Sequence, residues 1–557
     1  MNIRFLGAVN DVTGSCHLIE FKDKIIMLDC GMYQGKEENL NYKEFEVNPA
    51  DIDYLFLSHA HIDHSGRIPL LVKKGFKGTI YCTKPTYDLC EIMLIDSAYI
   101  QESETEWKNR KAKRSGKPLV DPLYTQADAQ ESLKFFEPVL YDQIIKLDDD
   151  LIVRFSDAGH ILGSSIIEMW FKEKDEIKIV FSGDLGMKGK PLLKDPAIIN
   201  SADYIIMEST YGNREHKTIE QAEEELINII LKTTRRGGTV IIPSFAVGRT
   251  QEIIYELNKY YDRKLGLEGN KESELRKIPV YIDSPLAAKA TEVFARNAHA
   301  FDEETKNYLM DGDNPLHFKN LHFTQSVEES KMLNFSDEPK IIISASGMCE
   351  AGRIKHHLKH NLWKKECSVV FVGYQAEGTL GRRILDGAKD VKIFGENIHI
   401  NAEIYSLEGF SGHADKNGLI RWLNNFQKKP EKVFLVHGES ESKNSLKNEI
   451  EKTLGINCII PVYNNSYEIK SKVEVHEVSL ENGEQLKPFT LTELEKKHIE
   501  KIRNEIVNIK NLLDDALKIT EEYLSGNNID ADKYRKINNN LLEIESKIMD
   551  LIILSGK

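Results

Sequence analysis

His59-Ala60-His61-Ile62-Asp63-His64 puts three imidazoles and a carboxylate into one short turn. It follows an apolar, strand-like run, Tyr54–Leu57, and precedes a helical pattern that begins near Gly66. A strand-to-helix turn lets a rigid scaffold aim several short side chains at one spot, and imidazole with carboxylate suits zinc. Alternation along an extended segment sets His59 and His61 on one side, while the adjacent Asp63 and His64 can diverge toward two ions. A solvated polar loop is a poor account of so many ligand types in so short a span.

Outward from the turn, three more ligand-type residues close apolar runs. They are His160 in Asp157-Ala-Gly-His160, Asp184 in Phe181-Ser-Gly-Asp184, and His437 in Phe434-Leu-Val-His437-Gly438-Glu439. Taken singly, each reads as well as an ordinary core or loop residue. With His59, His61, Asp63 and His64 they supply the roughly six to eight ligands that two zinc ions with open positions require. Two Zn2+ per chain are therefore expected, with hydroxide held between them as the nucleophile of a hydrolysis. A leaving alkoxide also needs a proton from a group that is near the metals but not bound to them. His413, in Gly409-Phe-Ser-Gly-His413-Ala-Asp415, and Glu208, in Met207-Glu208-Ser-Thr-Tyr211-Gly212, are candidates for that relay. From the residues alone, a structural role is as good a reading of either.

The 557 residues exceed what one hydrophobic core serves and suggest about two to four domains. Hydrophobic residues make up 41% and charged residues 29%, the composition of an ordinary globular protein rather than a disordered one. The formal charge of −14 means that any polyanion must be met by local positive charge, metal ions included. Seven scattered cysteines without a C-x-x-C pair read as reduced thiols. Met1–Gly7 shows no signal-peptide pattern, and no apolar run approaches the ~18 residues of a membrane span. A cytoplasmic protein without membrane partners is expected.

Short β-rich runs dominate up to about residue 208, interrupted by helical patterns such as Ser65–Lys74 and Tyr87–Gln101. From about 213 to 390 helix and strand alternate, which predicts a parallel, doubly wound domain. After about 396 the first style returns, with strands expected at Glu403–Leu407 and Val433–His437. The expected domains are 1–208 and 396–480, with 209–395 inserted between them. Apolar residues at 3-4 spacing from 499, with a turn at Ser525–Asn528, predict a helical hairpin over 490–557. Packing on its own domain and forming a homodimer are equally good readings of that hairpin.

These pieces, in this order, resemble the metallo-β-lactamase superfamily, and more narrowly its β-CASP branch, which cuts nucleic acids. The resemblance covers about residues 1–470. It implies an αββα sandwich, in the α/β class, with an inserted doubly wound β-CASP domain. It also implies that His59, His61, Asp63, His64, His160, Asp184 and His437 are metal ligands. Asp29, in Leu28-Asp29-Cys30-Gly31, would support them, and His413 and Glu208 would complete the proton-transfer machinery beside the catalytic Asp63. A histidine at the position of His437 marks the RNA-processing members, so single-stranded RNA is the implied substrate. Pro243–Arg249, Asp283–Leu286 and Ser344–Met348 are similar to the endonuclease subunit of the eukaryotic 3′-end cleavage machinery and its bacterial and archaeal relatives.

Within the insert, turns at Ser244–Gly248 and Ser346–Gly352 present backbone N–H groups that can hold phosphates, helped by Arg249 and Arg353. Simple helix capping explains them equally well. His356, His357 and His360 share a helix with Lys355 and Lys359, and a solvated face is expected there rather than a metal cluster. The run Lys108–Arg114 beside Trp107 is either a solvated face or a basic funnel for RNA. A lactonase or thioesterase on the same fold is the alternative activity, and a non-catalytic scaffold the third reading. The large insert disfavours the former and the full ligand set the latter.

Overall fold

The computed structural model describes residues 1–173, 175–261 and 271–470. The hairpin expected over 490–557 lies outside the described residues.

Strand alternation builds the first domain. Ile3, Phe5, Ile19, Phe21, Ile26 and Leu28 point to one face and meet Val153, Phe155, Ile167, Met169 and Phe171 from the opposite sheet. The first sheet runs Ser466–Glu468, Asn2–Phe5, His17–Phe21, Lys24–Leu28, Tyr54–Phe56, Thr79–Thr83 and Phe136–Val139. The second runs Cys458–Ile459, Lys432–Leu435, Tyr204–Met207, Glu176–Phe181, Ser165–Lys172, Leu151–Asp157 and Ile144–Lys146. Their outer faces are apolar as well. Leu18, Met27 and Leu55 pack with Ile68, Leu71 and Leu89, and Ile166, Val180 and Ile205 pack with Leu419, Trp422 and Ile450. Helices thus cover both sheets, and the expected αββα sandwich is present.

The insert carries an all-parallel six-stranded sheet in the order Leu321–Phe323, Val280–Ile282, Ile341–Ser344, Val240–Pro243, Ser368–Phe371 and Glu403–Ser406. Its central strands are buried throughout, as parallel strands covered on both faces should be.

Some elements differ from expectation. Glu403–Ser406 pairs with Ser368–Phe371 and so belongs to the insert's sheet, not to the sandwich. The helix expected over Tyr87–Gln101 runs from Lys84 to Ser115 and ends at a left-handed Gly116. Its distal half is exposed, so it carries no apolar periodicity, although Glu, Lys, Arg and Ala favour helix there. The helix expected over Ser65–Lys74 divides into Ile62–Ser65 and Ile68–Lys73. Among the described residues no helix is long and apolar enough to cross a membrane.

Candidate metal centre

The ligand-type residues all sit just past strand ends along one edge of the sandwich. His59 follows Tyr54–Phe56, His160 follows Leu151–Asp157, Asp184 follows Glu176–Phe181, Glu208 follows Tyr204–Met207, and His437 follows Lys432–Leu435. Close chain packing fixes the turn. The Ser15 N–H donates to the Asp63 carbonyl, and the Cys30 and Met32 N–H groups donate to the carbonyls of His64 and Ile62. A side chain at Gly31 would collide with the Asp63 carbonyl, which explains a glycine there.

His59 Nε2 and His160 Nε2 lie 3.1 and 3.2 Å from His61 Nδ1. Asp184 Oδ2 stands 3.6 Å from His59 Nε2 and 3.7 Å from His160 Nε2. Zinc–nitrogen bonds at tetrahedral angles put neighbouring nitrogens ~3.3 Å apart, so these four residues fit the geometry of a single ion. Burial holds all three imidazoles below their usual pKa, His61 at about 4, and so neutral with a lone pair to offer. Second contacts select the tautomers. His160 Nδ1 faces the Gly412 carbonyl at 3.1 Å, and His59 Nδ1 faces Ser58 Oγ at 3.1 Å.

Asp63, His64 and His437 form a neighbouring group that could hold a second ion. His64 Nε2 is 3.1 Å from His437 Nε2 and 3.3 Å from Asp184 Oδ2, so Asp184 stands between the two groups. Asp184 Oδ1 is buried and without a hydrogen-bond partner among the described residues, a vacancy in the hydrogen bonding that a cation would fill. Burial pushes the Asp184 carboxyl up, but His437, His64 and His413 outweigh it and hold the group ionised. Burial likewise pulls His64 down, and the carboxylates of Asp184 and Asp29 more than reverse this.

Asp29 accepts from the Ser58 N–H at 2.8 Å and meets His64 Nδ1 at 2.6 Å, which turns Nε2 into the pocket. Ser15, Ser58 and Thr210 were not anticipated. Thr210 Oγ1 meets His437 Nδ1 at 3.1 Å and plays for His437 the part that Asp29 plays for His64. Hydroxyls leave no spacing signal in a sequence, so these supports had none to find.

His413 reaches the site from the chain that returns after the insert. Its ring lies 4.4 Å from that of His160, and its Nδ1 lies 3.2 Å from Glu208 Oε2. Glu208 is buried and anchored by the Leu185 N–H at 2.6 Å. A partly exposed imidazole backed by a fixed carboxylate, beside a metal-shaped pocket, is suited to proton transfer.

The insert's expected residues are divided in their placement. Phe245 brings its ring within 6.0 Å of the His61 ring. The neighbouring Ser244 is buried, accepts from Thr250 Oγ1 and donates to the Phe245 carbonyl. Arg249 is buried, ion-paired with Glu252, and brings its Nη2 against Gly412. Ser346 bonds within its own turn to Ala351. Arg353 binds Asp283 Oδ1 at 2.7 Å and the Gln325 carbonyl at 3.0 Å. The solvated helix face expected for His356, His357 and His360 is corrected at His357, which is fully buried between Asp283 Oδ2, at 2.5 Å, and Asn334 Oδ1, at 2.9 Å.

Fold and site together define a metallohydrolase of the metallo-β-lactamase type. The Metallo-beta-lactamase superfamily family matches residues 9–214, the Beta-Casp domain 250–384, and the Zn-dependent metallo-hydrolase RNA specificity domain 397–461. Ribonuclease TTHA0252 of Thermus thermophilus is 37% identical over 441 residues, which cover 79% of this chain and 94% of that protein. The RNase J-like protein of Methanocaldococcus jannaschii is 33% identical, over 83% of this chain and 98% of its own. The transcription termination factor FttA of the same organism is also 33% identical, over 80% of this chain and 67% of its own. The chain belongs to the β-CASP family of metallo-hydrolases.

Proposed function

We propose that this protein is a zinc-dependent ribonuclease that hydrolyses phosphodiester bonds of single-stranded RNA between the sandwich and the insert. The observation that carries the reading is the two adjacent ligand groups, with Asp184 of the first 3.3 Å from His64 of the second, and the His413–Glu208 pair alongside. Two relatives are named as ribonucleases, and one matched family as an RNA specificity domain.

His59, His61, His160 and Asp184 would hold one zinc ion, and Asp63, His64 and His437 the other with Asp184 between them. When bound, the two ions make hydroxide available near neutral pH and offset the charge of the phosphodiester. Asp29 and Thr210 fix the ring orientations of His64 and His437. Glu208 holds His413 through Nδ1, which leaves Nε2 as the atom that would hand a proton to the departing oxygen. Ser244, Arg249, Ser346 and Arg353 line or brace the insert's side of the cleft. We take the insert to run from 209 to about 407, so that Glu403–Ser406 stays with its sheet. All seven cysteines are buried and free of disulfides, which accords with a cytoplasmic setting.

End-labelled single-stranded RNA incubated with and without chelator tests the reading, and the product ladder separates internal cutting from 5′-to-3′ trimming. Cleavage that survives metal removal would overturn it. So would inert RNA together with turnover of a lactone.

A further inference from the structure

The helix Lys84–Ser115 begins at the metal centre and leaves it. Thr83 and Thr86 hydroxyls donate to the Gly163 carbonyl at 2.6 and 2.7 Å, in the loop that carries His160. One turn on, Asp88 accepts from Asn297 of the insert at 3.0 Å. At a rise of ~1.5 Å per residue, Trp107 then stands about 28 Å beyond Asp88.

That distal end is unusual for a chain of net charge −14. Residues 107–117 contain Lys108, Arg110, Lys111, Lys113, Arg114 and Lys117 and no acidic residue. Only Lys108 lies within 4.0 Å of a carboxylate, that of Glu104, among the described residues. Trp107 is 51% exposed, and Lys111 Nζ sits 3.4 Å from its ring centroid. Helical spacing places Trp107, Arg110, Lys111 and Arg114 on one face. The opposite face is covered by the returning chain, where Asn109 exchanges two hydrogen bonds with the Val120 backbone.

We propose that this basic arm is a docking surface for single-stranded RNA, holding the strand about 28 Å along the helix from Asp88. The indole, 51% exposed although Lys111 lies over one face of its ring, offers a stacking platform for a base, and cations without a carboxylate partner on the same face meet flanking phosphates. An acidic protein would satisfy the cations but not the aromatic ring, so RNA is the better fit. The inference rests on the ribonuclease reading for its ligand, but it is tested by binding rather than by cutting.

Fluorescence anisotropy on the metal-loaded full chain compares phosphorothioate single-stranded RNAs of about twenty and about five nucleotides. For R110E/K111E/R114E the Kd of the long RNA is expected to rise tenfold or more. Its log Kd against log salt slope should fall by about two, at ~0.7 per phosphate contact on a single strand. For W107A the long RNA should weaken about tenfold, with loss of the tryptophan quenching that RNA produces in the parent. In both variants the short RNA, which cannot span cleft and arm, is affected less. An unchanged long-to-short ratio and an unchanged slope overturn the proposal, as does loss of polyglutamate binding with RNA binding intact. Tight binding by a parent protein that never cuts would refute the ribonuclease reading and leave the arm standing.

Discussion

His413 Nδ1 lies 3.2 and 3.3 Å from the two carboxylate oxygens of Glu208, while Asp184 Oδ2 stands farther off at 3.8 Å. His413 belongs to none of the candidate ligand groups, and the proposed function makes it the imidazole that handles protons. His413→Ala is expected to retain both metals by elemental analysis and to lose about 10²- to 10⁴-fold in kcat. A variant that purifies with one ion fewer would make His413 a ligand instead.

Asp29 belongs to none of the ligand groups, yet its carboxylate meets His64 Nδ1 at 2.6 Å. Asp29→Ala should weaken metal binding by about 10- to 100-fold, read by competition with a chromogenic chelator. Unaltered affinity would show that Ser58 Oγ, 3.4 Å from the same His64 nitrogen, suffices alone.

Lys190 is buried against Glu252 at 3.4 Å, with Arg249 on the same carboxylate, where the insert meets the sandwich. Burial is the main cause that brings its pKa down to about 7, the Glu252 carboxylate opposing. The unfolded chain therefore binds the proton more tightly between pH 7 and its ordinary value near 10.5, and folding stability rises with pH across that window. Urea midpoints from pH 7 to 9 should climb in the parent and stay flatter in Lys190→Met. Parallel curves would contradict this account.

Asp283, just past the strand Val280–Ile282, gathers His357, Ser330, Thr324 and Arg353. Burial pushes its carboxyl up, but the bonds from His357, Ser330 and Thr324 hold it well below the usual range. Its stabilisation is present above an ordinary aspartate pKa and is lost in acid. Asp283→Ala leaves buried polar groups unpaired and should cost about 3 kcal/mol or more at neutral pH, with a smaller deficit in acid. A loss under about 1 kcal/mol would mean that the network relaxes without it.

What the sequence disclosed follows from physical range. The turn His59–His64 and the strand-end positions of His160, Asp184 and His437 are local patterns, and they place the whole pocket. The partnership of Asp283 with His357 was hidden because it joins residues from different elements, and a histidine flanked by lysines reads as surface. Glu403–Ser406 was assigned to the wrong sheet because a short strand carries no mark of its neighbour. The far half of the helix Lys84–Ser115 faces water, where apolar periodicity has no cause, so Lys108–Arg114 reads as a charged run and not as the continuation of a helix.

One pocket is built entirely from residues up to Asp184, whereas its neighbour waits for His437. At roughly 5–20 residues per second, a ribosome needs on the order of ten to fifty seconds to bridge that gap. During this interval the nascent chain carries every member of one group and all but His437 of the other. The insert is thus also a delay between the two groups, set by the direction of translation.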